Sequence, residues 1–142
     1  MSLEFDSPTP RPFLFSNHLA QVAFAVPYDY AWTEILQPSP DINQILPTVF
    51  RLQPGHSYLL RAVLTQAGSI CTAQWVDSTN NPIGPAVPQY AGAALTDNHP
   101  FNVYAVVGVI GIPLDVKVRV VVSPDANNLV SPSSYVYIEE LN

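Results

Sequence analysis

The sequence of 142 residues has few charged side chains. Asp, Glu, Lys and Arg make up only 11% of it, against about a quarter of an average globular protein. The basic residues are scattered along the chain, at Arg11, Arg51, Arg61, Lys117 and Arg119. A protein that reads nucleic acid needs a basic stripe to neutralise phosphates. The sequence therefore predicts no nucleic-acid partner.

Cysteine occurs once, at Cys71, which excludes an intrachain disulfide and a paired-thiolate metal site. The three histidines, His18, His56 and His99, lack the spacing of metal ligands and are interpreted as polar surface residues. The phosphate-binding motifs GxxxxGK[ST] and GxGxxG and the hydrolase motif GxSxG are also missing. We therefore expect no metal, no cofactor and no enzymatic activity.

Carboxylates are few, and the adjacent pair Glu139 and Glu140 lies in a strand-like run. Neighbouring residues of a strand point to opposite faces, so these two cannot form a catalytic pair. Long hydrophobic runs are missing as well, since no stretch approaches the roughly 20 apolar residues of a membrane helix. The start, MSLEFDSPTPRP, is acidic and rich in proline. We expect neither a secretory signal nor a membrane association.

What the chain has instead is apolar surface. Apolar residues reach 48% and the mean hydropathy is +0.17. With so few charges to cover a monomer, some of this surface is expected to be buried against other subunits, because exposed apolar patches on such proteins mark interfaces. Oligomerisation is the first functional prediction.

Short β-prone runs separated by turn residues predict an all-β sandwich or barrel. SYLLRAVLTQ places Tyr58, Leu60, Ala62 and Leu64 on one face, and LDVKVRVVV alternates valines with charged residues over residues 114–122. PFNVYAVVGVIGI is apolar on both faces, so one face should meet the core and the other a neighbouring subunit. We count about eight strands and expect one helical turn over DINQIL, residues 41–46, with Asp41 as its N-cap.

The stretch QWVDSTNNPIGPAVPQY, residues 74–90, is interpreted as a bend between two extended segments, because Asn, Pro and Gly supply the backbone angles of a turn. The alternative is a calcium site at Asp77 with Asn80 or Asn81. Such a site would need several more oxygen ligands at one point.

Aromatic residues alternate in two places, at Tyr28, Tyr30 and Trp32 and again at Tyr135 and Tyr137. Alternation in an extended segment places them on one face. Packing in the core or at a subunit interface is favoured over a platform that binds a carbohydrate or a receptor.

The order of features over residues 50–141 resembles the trimeric jelly-roll modules of the tumour-necrosis-factor (TNF) and C1q-like type, particularly those of phage and virus structural proteins. The matching pieces are LQPGHSYLLRAVLT, QWVD with STNNPIG, PFNVYAVV, VKVRVVV and SSYVYIEELN. The resemblance implies an all-β, two-sheet antiparallel jelly roll over residues 14–142 that forms homotrimers. The hypothetical trimer contacts are Tyr58, Phe101, Tyr104, Tyr135 and Tyr137.

Residues 1–13 are expected to form an extended, proline-rich arm. A fibre tip usually ends a much longer polypeptide, whereas this chain starts with Met and a short arm, so a virion protein that decorates and cements the capsid is predicted, located on the capsid surface. Its partner would be the major capsid protein or another virion protein. The hypothetical capsid contacts are Pro8, Pro10, Arg11, Pro12 and Phe13. The alternatives are a receptor- or glycan-binding tip of a phage fibre and a C1q/TNF-like surface adhesion module.

Overall fold

The computed structural model describes residues 13–18, 23–24, 28–36, 40–67, 72–88, 99–122, 128–130 and 134–142. All regular elements in these ranges are β-strands. They are β1 Phe13–His18, β2 Ala23–Phe24, β3 Tyr28–Asp29, β4 Thr33–Leu36, β5 Ile42–Leu46, β6 Val49–Leu52, β7 His56–Ala67, β8 Thr72–Asp77, β9 Val87–Pro88, β10 His99–Val109, β11 Leu114–Val122, β12 Asn128–Val130 and β13 Ser134–Glu140. No helix in the described part of the chain is long and apolar enough to cross a membrane.

The strands form two antiparallel sheets, which confirms the predicted fold class. In the first sheet β7 is central, with β10 along one side and β13, β1 and β4 following in order on the other. Two short strands, β12 and β2, extend this sheet at the far end of β7. The second sheet has the order β5-β6-β11-β8-β9, with β3 also paired to β11. There are more strands than the eight expected, because several are pieces of only two or three residues.

The core lies between the two sheets and is formed by alternate residues, as the period of two predicted. In β7 the side chains of Tyr58, Leu60, Ala62 and Leu64 are all fully buried. In β11 the same is true of its valines at 116, 118 and 120. Burial of each such large apolar side chain stabilises the fold by about 1.5–3 kcal/mol.

Trp75 of β8 joins the two sheets through the core. Its side chain is fully buried, packs against Phe50 with ring centroids 6.4 Å apart, and its indole Nε1–H donates to the carbonyl oxygen of Val103 in β10 at 2.9 Å. Tyr30 and Trp32 are also buried, and their rings stack at 5.5 Å. Tyr30 and Trp32 therefore pack in the protomer, in agreement with the interpretation favoured from the sequence, while the side chain of Tyr28 lies outside the described part of the structure.

The prediction of a helical turn over residues 41–46 is wrong. Ile42–Leu46 is strand β5, which pairs antiparallel with β6, and Ile42 is fully buried. The carbonyl of Asp41 accepts a hydrogen bond from the amide of Gln53 at 2.9 Å, so this backbone is tied to the next turn instead of to its own helix. Pairing with β6 overrides the local helical preference.

The polar face of β11 is held by ion pairs. Asp29 accepts from Lys117 at 3.0 Å and from Arg119 at 2.8 Å, and Arg51 forms a two-point pair with Asp115 at 2.8 and 3.1 Å. Burial alone would raise the pKa of Asp29, but the hydrogen bonds from Arg119 and Lys117 bring it below its ordinary value. Of the five basic side chains in the sequence, three are thus used in local pairs on the second sheet.

Candidate functional site

The candidate site is the outer face of the first sheet, which points away from the core. The register aligns its outward residues in rows across β13, β7 and β10. One row is Tyr137, Arg61 and Tyr104, and the next is Glu139, Leu59 and Val106. We call this surface the outer face; it also includes Tyr135, Val63 and Asn102, which form a third row.

Apolar surface is exposed on the outer face along β10. Tyr104 is 51% exposed and Val106 65% exposed. Their core-facing neighbours Val103 and Ala105 are buried, so β10 is apolar on both sides. Because β10 pairs only with β7 among the described strands, the exposed residues lie at an edge of the sheet. An antiparallel sheet usually has one polar face, and this one departs from that pattern.

One cation lies among the aromatic residues of the outer face. Arg61 is exposed and sits between Tyr137 and Tyr104 in its row. Burial raises the pKa of the Tyr137 hydroxyl, the nearby Glu139 carboxylate adds to the rise, and Arg61 opposes it. A shallow depression of about 340 Å³ is lined by Leu59, Arg61, Asn102 and Tyr104. The outer face thus combines aromatic surface, one guanidinium and one carboxylate.

A second group of polar residues meets at one end of the sandwich. Asp41 in the turn before β5, His56 at the start of β7 and Glu140 at the end of β13 each place one carboxylate oxygen or ring nitrogen within 4.8 Å of the others. We call these three residues the end cluster. His56 Nδ1 lies 2.5 Å from Glu140 Oε1 and 2.7 Å from the carbonyl oxygen of Asn142, and His56 Nε2 lies 3.7 Å from Asp41 Oδ2.

Burial sets the electrostatics of the end cluster. It raises the pKa of Glu140, an effect that His56 opposes and Asp41 reinforces. Burial, Glu140 and Asp41 together raise the pKa of Tyr58 to about 12. Tyr58 donates its hydroxyl to the carbonyl of Gln53 at 2.7 Å and therefore stays a neutral donor beside the two carboxylates.

No protein-family model matches the chain, and no curated protein matches its sequence. Solved structures do match. A crystal structure of murine APRIL at pH 8.0 aligns with a TM-score of 0.64 at 13% identity, covering 92% of this chain and 99% of that one. The structure of Eiger TNF from S. frugiperda gives 0.58 at 13%, with 94% of each chain covered. The globular domain of zebrafish complement 1qA protein gives 0.54 at 12%, covering 94% and 96%.

The protein has the TNF/C1q-like jelly-roll fold. At these identities the likeness concerns the fold alone, and it agrees with the resemblance found in the sequence. Nothing in it bears on a phage or virus origin.

Within this TNF/C1q-like jelly roll, the five hypothetical trimer contacts separate into two groups. Tyr104 is exposed on the outer face, and Tyr135 and Tyr137 lie half-buried there. Tyr58 and Phe101 instead point into the protomer's own core, at 0% and 7% exposure. These two are corrected from interface to core residues, because the alternation of β7 and β10 turns them inward. Contact of the other three with a second subunit stays a prediction.

The hypothetical capsid contacts Pro8, Pro10, Arg11 and Pro12 lie outside the described residues. Phe13, which the sequence assigned to the arm, is the first residue of β1, and its backbone pairs with Glu139 of β13. The described part of the jelly roll therefore begins one residue earlier than expected. Cys71 also lies outside the described residues. His18 and His99 have their backbones in strands β1 and β10.

The segment after β8 is a turn, as interpreted from the sequence. Asp77 Oδ1 accepts hydrogen bonds from the amides of Thr79 and Asn81, both at 2.9 Å, and from the Thr79 hydroxyl at 2.8 Å. Asn80 has a positive φ of 69°. The Asp77 carboxylate closes the turn with these contacts, all of them through Oδ1.

The end cluster is what reasoning from the sequence missed. His56 was assigned to a surface turn, and Asp41 and Glu140 were not connected with it. The three residues are far apart in the chain and meet only because β7 and β13 pair in a register that sets Glu140 opposite Tyr58. A usable signal was present, since alternation in SYVYIEE already turns Glu140 to the same side as Val136 and Ile138.

Proposed function

We propose that the protein is a non-enzymatic binding module of the C1q/TNF-like type that works as a homotrimer assembled through the outer face. The observation that carries the proposal is the exposure of Tyr104 and Val106 on a strand whose opposite side already fills the core. The protomer has no further element over these side chains in its described part, and a second copy of the chain is the occupant we infer.

The composition of the outer face supports a copy of the same chain as that occupant. The face presents Tyr104, Tyr135 and Tyr137 with one Arg and one Glu, which can pair between subunits around an axis. Tyrosine and arginine are enriched in interface cores. Pairs of opposite charge across an interface fix how the subunits align with one another. A threefold arrangement is what the resemblance to TNF and C1q-like modules implies.

Assembly is tested by placing a charge on the outer face. Tyr104→Asp should dissociate the trimer, since it removes an aromatic contact and buries an unpaired carboxylate. Leu46→Asp is the matched control, because Leu46 is 56% exposed on the second sheet and lies away from the outer face. Mass is measured by light scattering after size exclusion. Dissociation by both changes, or by neither, would argue against the outer face as the interface.

The ligand of the assembled module is proposed to be a protein receptor or a glycan on a surface, because the fold likeness favours the C1q/TNF-like alternative. Capsid decoration stays a prediction that depends on the proline-rich arm. Binding to a glycan array and to host cells, compared with binding to capsids, separates the two. Deleting residues 1–12 should abolish capsid binding and leave the trimer intact if the arm holds the capsid; unchanged capsid binding would remove the arm's role.

A further inference from the structure

The end cluster brings together three side chains that suit a metal ion. Asp41 comes from the second sheet's side of the sandwich, and His56 and Glu140 come from the first sheet. Their donor atoms lie within 4.8 Å of one another. Imidazole and carboxylate are the nitrogen and oxygen ligands that Zn²⁺ takes in proteins, and three protein ligands leave a position open for water or a further ligand.

Glu140 supplies an independent indication of a ligand. Glu140 is only 6% exposed, and its Oε2 atom is buried with no hydrogen-bond partner among the described residues. The other oxygen, Oε1, contacts His56 Nδ1. A buried carboxylate oxygen without a donor is costly. Asp41 contributes a second carboxylate to the same place, so a cation between the two would offset both the repulsion and the missing contact.

We propose that Asp41, His56 and Glu140 bind a divalent transition-metal ion, with Zn²⁺ as the best fit. A single imidazole with two carboxylates suits zinc, whereas calcium prefers six to eight oxygens. The carbonyl of Asn142, 2.7 Å from His56 Nδ1, is placed to orient the ring as outer partners of ligating histidines do.

Metal binding requires small movements of the side chains. Two ligands at about 2.1 Å from one ion, at the tetrahedral angle, stand about 3.4 Å apart. With Nδ1 held by the Asn142 carbonyl, the ligating ring atom is His56 Nε2, whose distance of 3.7 Å to Asp41 Oδ2 must shorten slightly. Glu140 must release its contact with His56 Nδ1 and turn a carboxylate oxygen towards the Nε2 side of the ring. His56 and Asp41 are each about a third exposed, at 32% and 30%, which leaves room for these movements.

A metal ion at the end cluster would connect the two sheets at that end of the sandwich. Asp41 is followed directly by β5, while His56 begins β7 and Glu140 ends β13. An ion that binds the folded but not the unfolded chain stabilises it by mass action. The proposal is independent of the trimer, because all three ligands belong to one protomer.

The test is zinc binding by chelator-treated full-length protein. Isothermal titration with Zn²⁺ should show one ion per chain, and thermal unfolding should shift to higher temperature with zinc. Glu140→Gln and His56→Gln should each weaken binding at least tenfold. Glu139→Gln is the matched control, since it removes the adjacent carboxylate, which points to the opposite face, and should leave binding unchanged.

Two results would overturn the proposal. Equal zinc affinity in Glu140→Gln, Glu139→Gln and the unchanged protein would show that zinc binds elsewhere. Absence of zinc binding by the unchanged protein would show that the three side chains do not form a zinc site. Circular dichroism confirms that each variant keeps its β spectrum, and should Glu140→Gln fail to fold, His56→Gln alone decides, because His56 is on the surface.

Discussion

Replacing Gly84 by Ala should destabilise the sandwich where the turn after β8 crosses the edge of the first sheet. A Cβ at residue 84 would lie 2.5 Å from the carbonyl oxygen of Tyr104 and 2.7 Å from Cβ of Ala105. Carbon atoms in contact normally stand about 3.5–4.0 Å apart, so the overlap is about 1 Å. Both atoms belong to β10, which is paired with β7 along its whole length and therefore cannot easily move away.

The expected cost follows from this overlap. Crowding of a packed site typically destabilises the folded protein by about 1–3 kcal/mol. Ala in place of Gly also lowers the entropy of the unfolded chain, which stabilises the folded protein by about 0.4–1 kcal/mol. We expect Gly84→Ala to lower the free energy of unfolding by about 1–2 kcal/mol. Urea unfolding followed by tryptophan fluorescence measures it, at one fixed protein concentration because assembly also contributes to stability.

Gly108→Ala makes the same exchange within β10 and serves as the control. The nearest atom to its new Cβ is Ser57 Oγ at 3.7 Å, an ordinary contact, and Gly108 is exposed. This variant should be as stable as the unchanged protein or more stable by up to about 1 kcal/mol. If Gly84→Ala were as stable as Gly108→Ala, the close approach of the turn to β10 would be refuted.

Three further changes test the fold. Asp29→Asn should lower the free energy of unfolding by about 1–3 kcal/mol at neutral pH. Because the folded pKa of Asp29 lies below 3.8, the loss of stability relative to the unchanged protein should persist above about pH 4 and shrink as acid protonates the native carboxylate. Urea unfolding measures this loss, and a loss independent of pH would contradict the prediction. Trp75→Phe leaves the buried Val103 carbonyl without its donor and should cost about 1–3 kcal/mol, with an unchanged unfolding midpoint as the opposing result. Asp77→Ala removes the acceptor that closes the turn and should cost about 1 kcal/mol without changing the oligomer's mass; a protein of full stability would show that the turn holds without it.

The alternation of residues along the strands predicted much of the core and also the uncovered apolar side of β10. In β7 and β11 every second residue is apolar, and those residues are the buried ones, since period two has only one arrangement that hides them. The alternation in β10 also predicted that its second apolar side is left uncovered by the core. Tyr104 lies on that side and is exposed, and its contact with a second subunit stays a prediction.

What the sequence could not supply was strand pairing. Ile42–Leu46 has a local pattern compatible with a helical turn and becomes a strand only because β6 lies beside it. Tyr58 and Phe101 are a different case, since they were assigned to an interface as aromatic residues although the alternation of β7 and β10 turns them inward. The end cluster depends on strand pairing too, because Asp41, His56 and Glu140 have no common spacing and meet through the pairing of β7 with β13.

The proposed assembly covers the outer face with further copies of the chain. Sedimentation equilibrium of the unchanged protein at micromolar concentration tests it directly. The predicted result is a single species of about three times the 15.5 kDa mass of one chain. A stable species with the mass of one chain would contradict it.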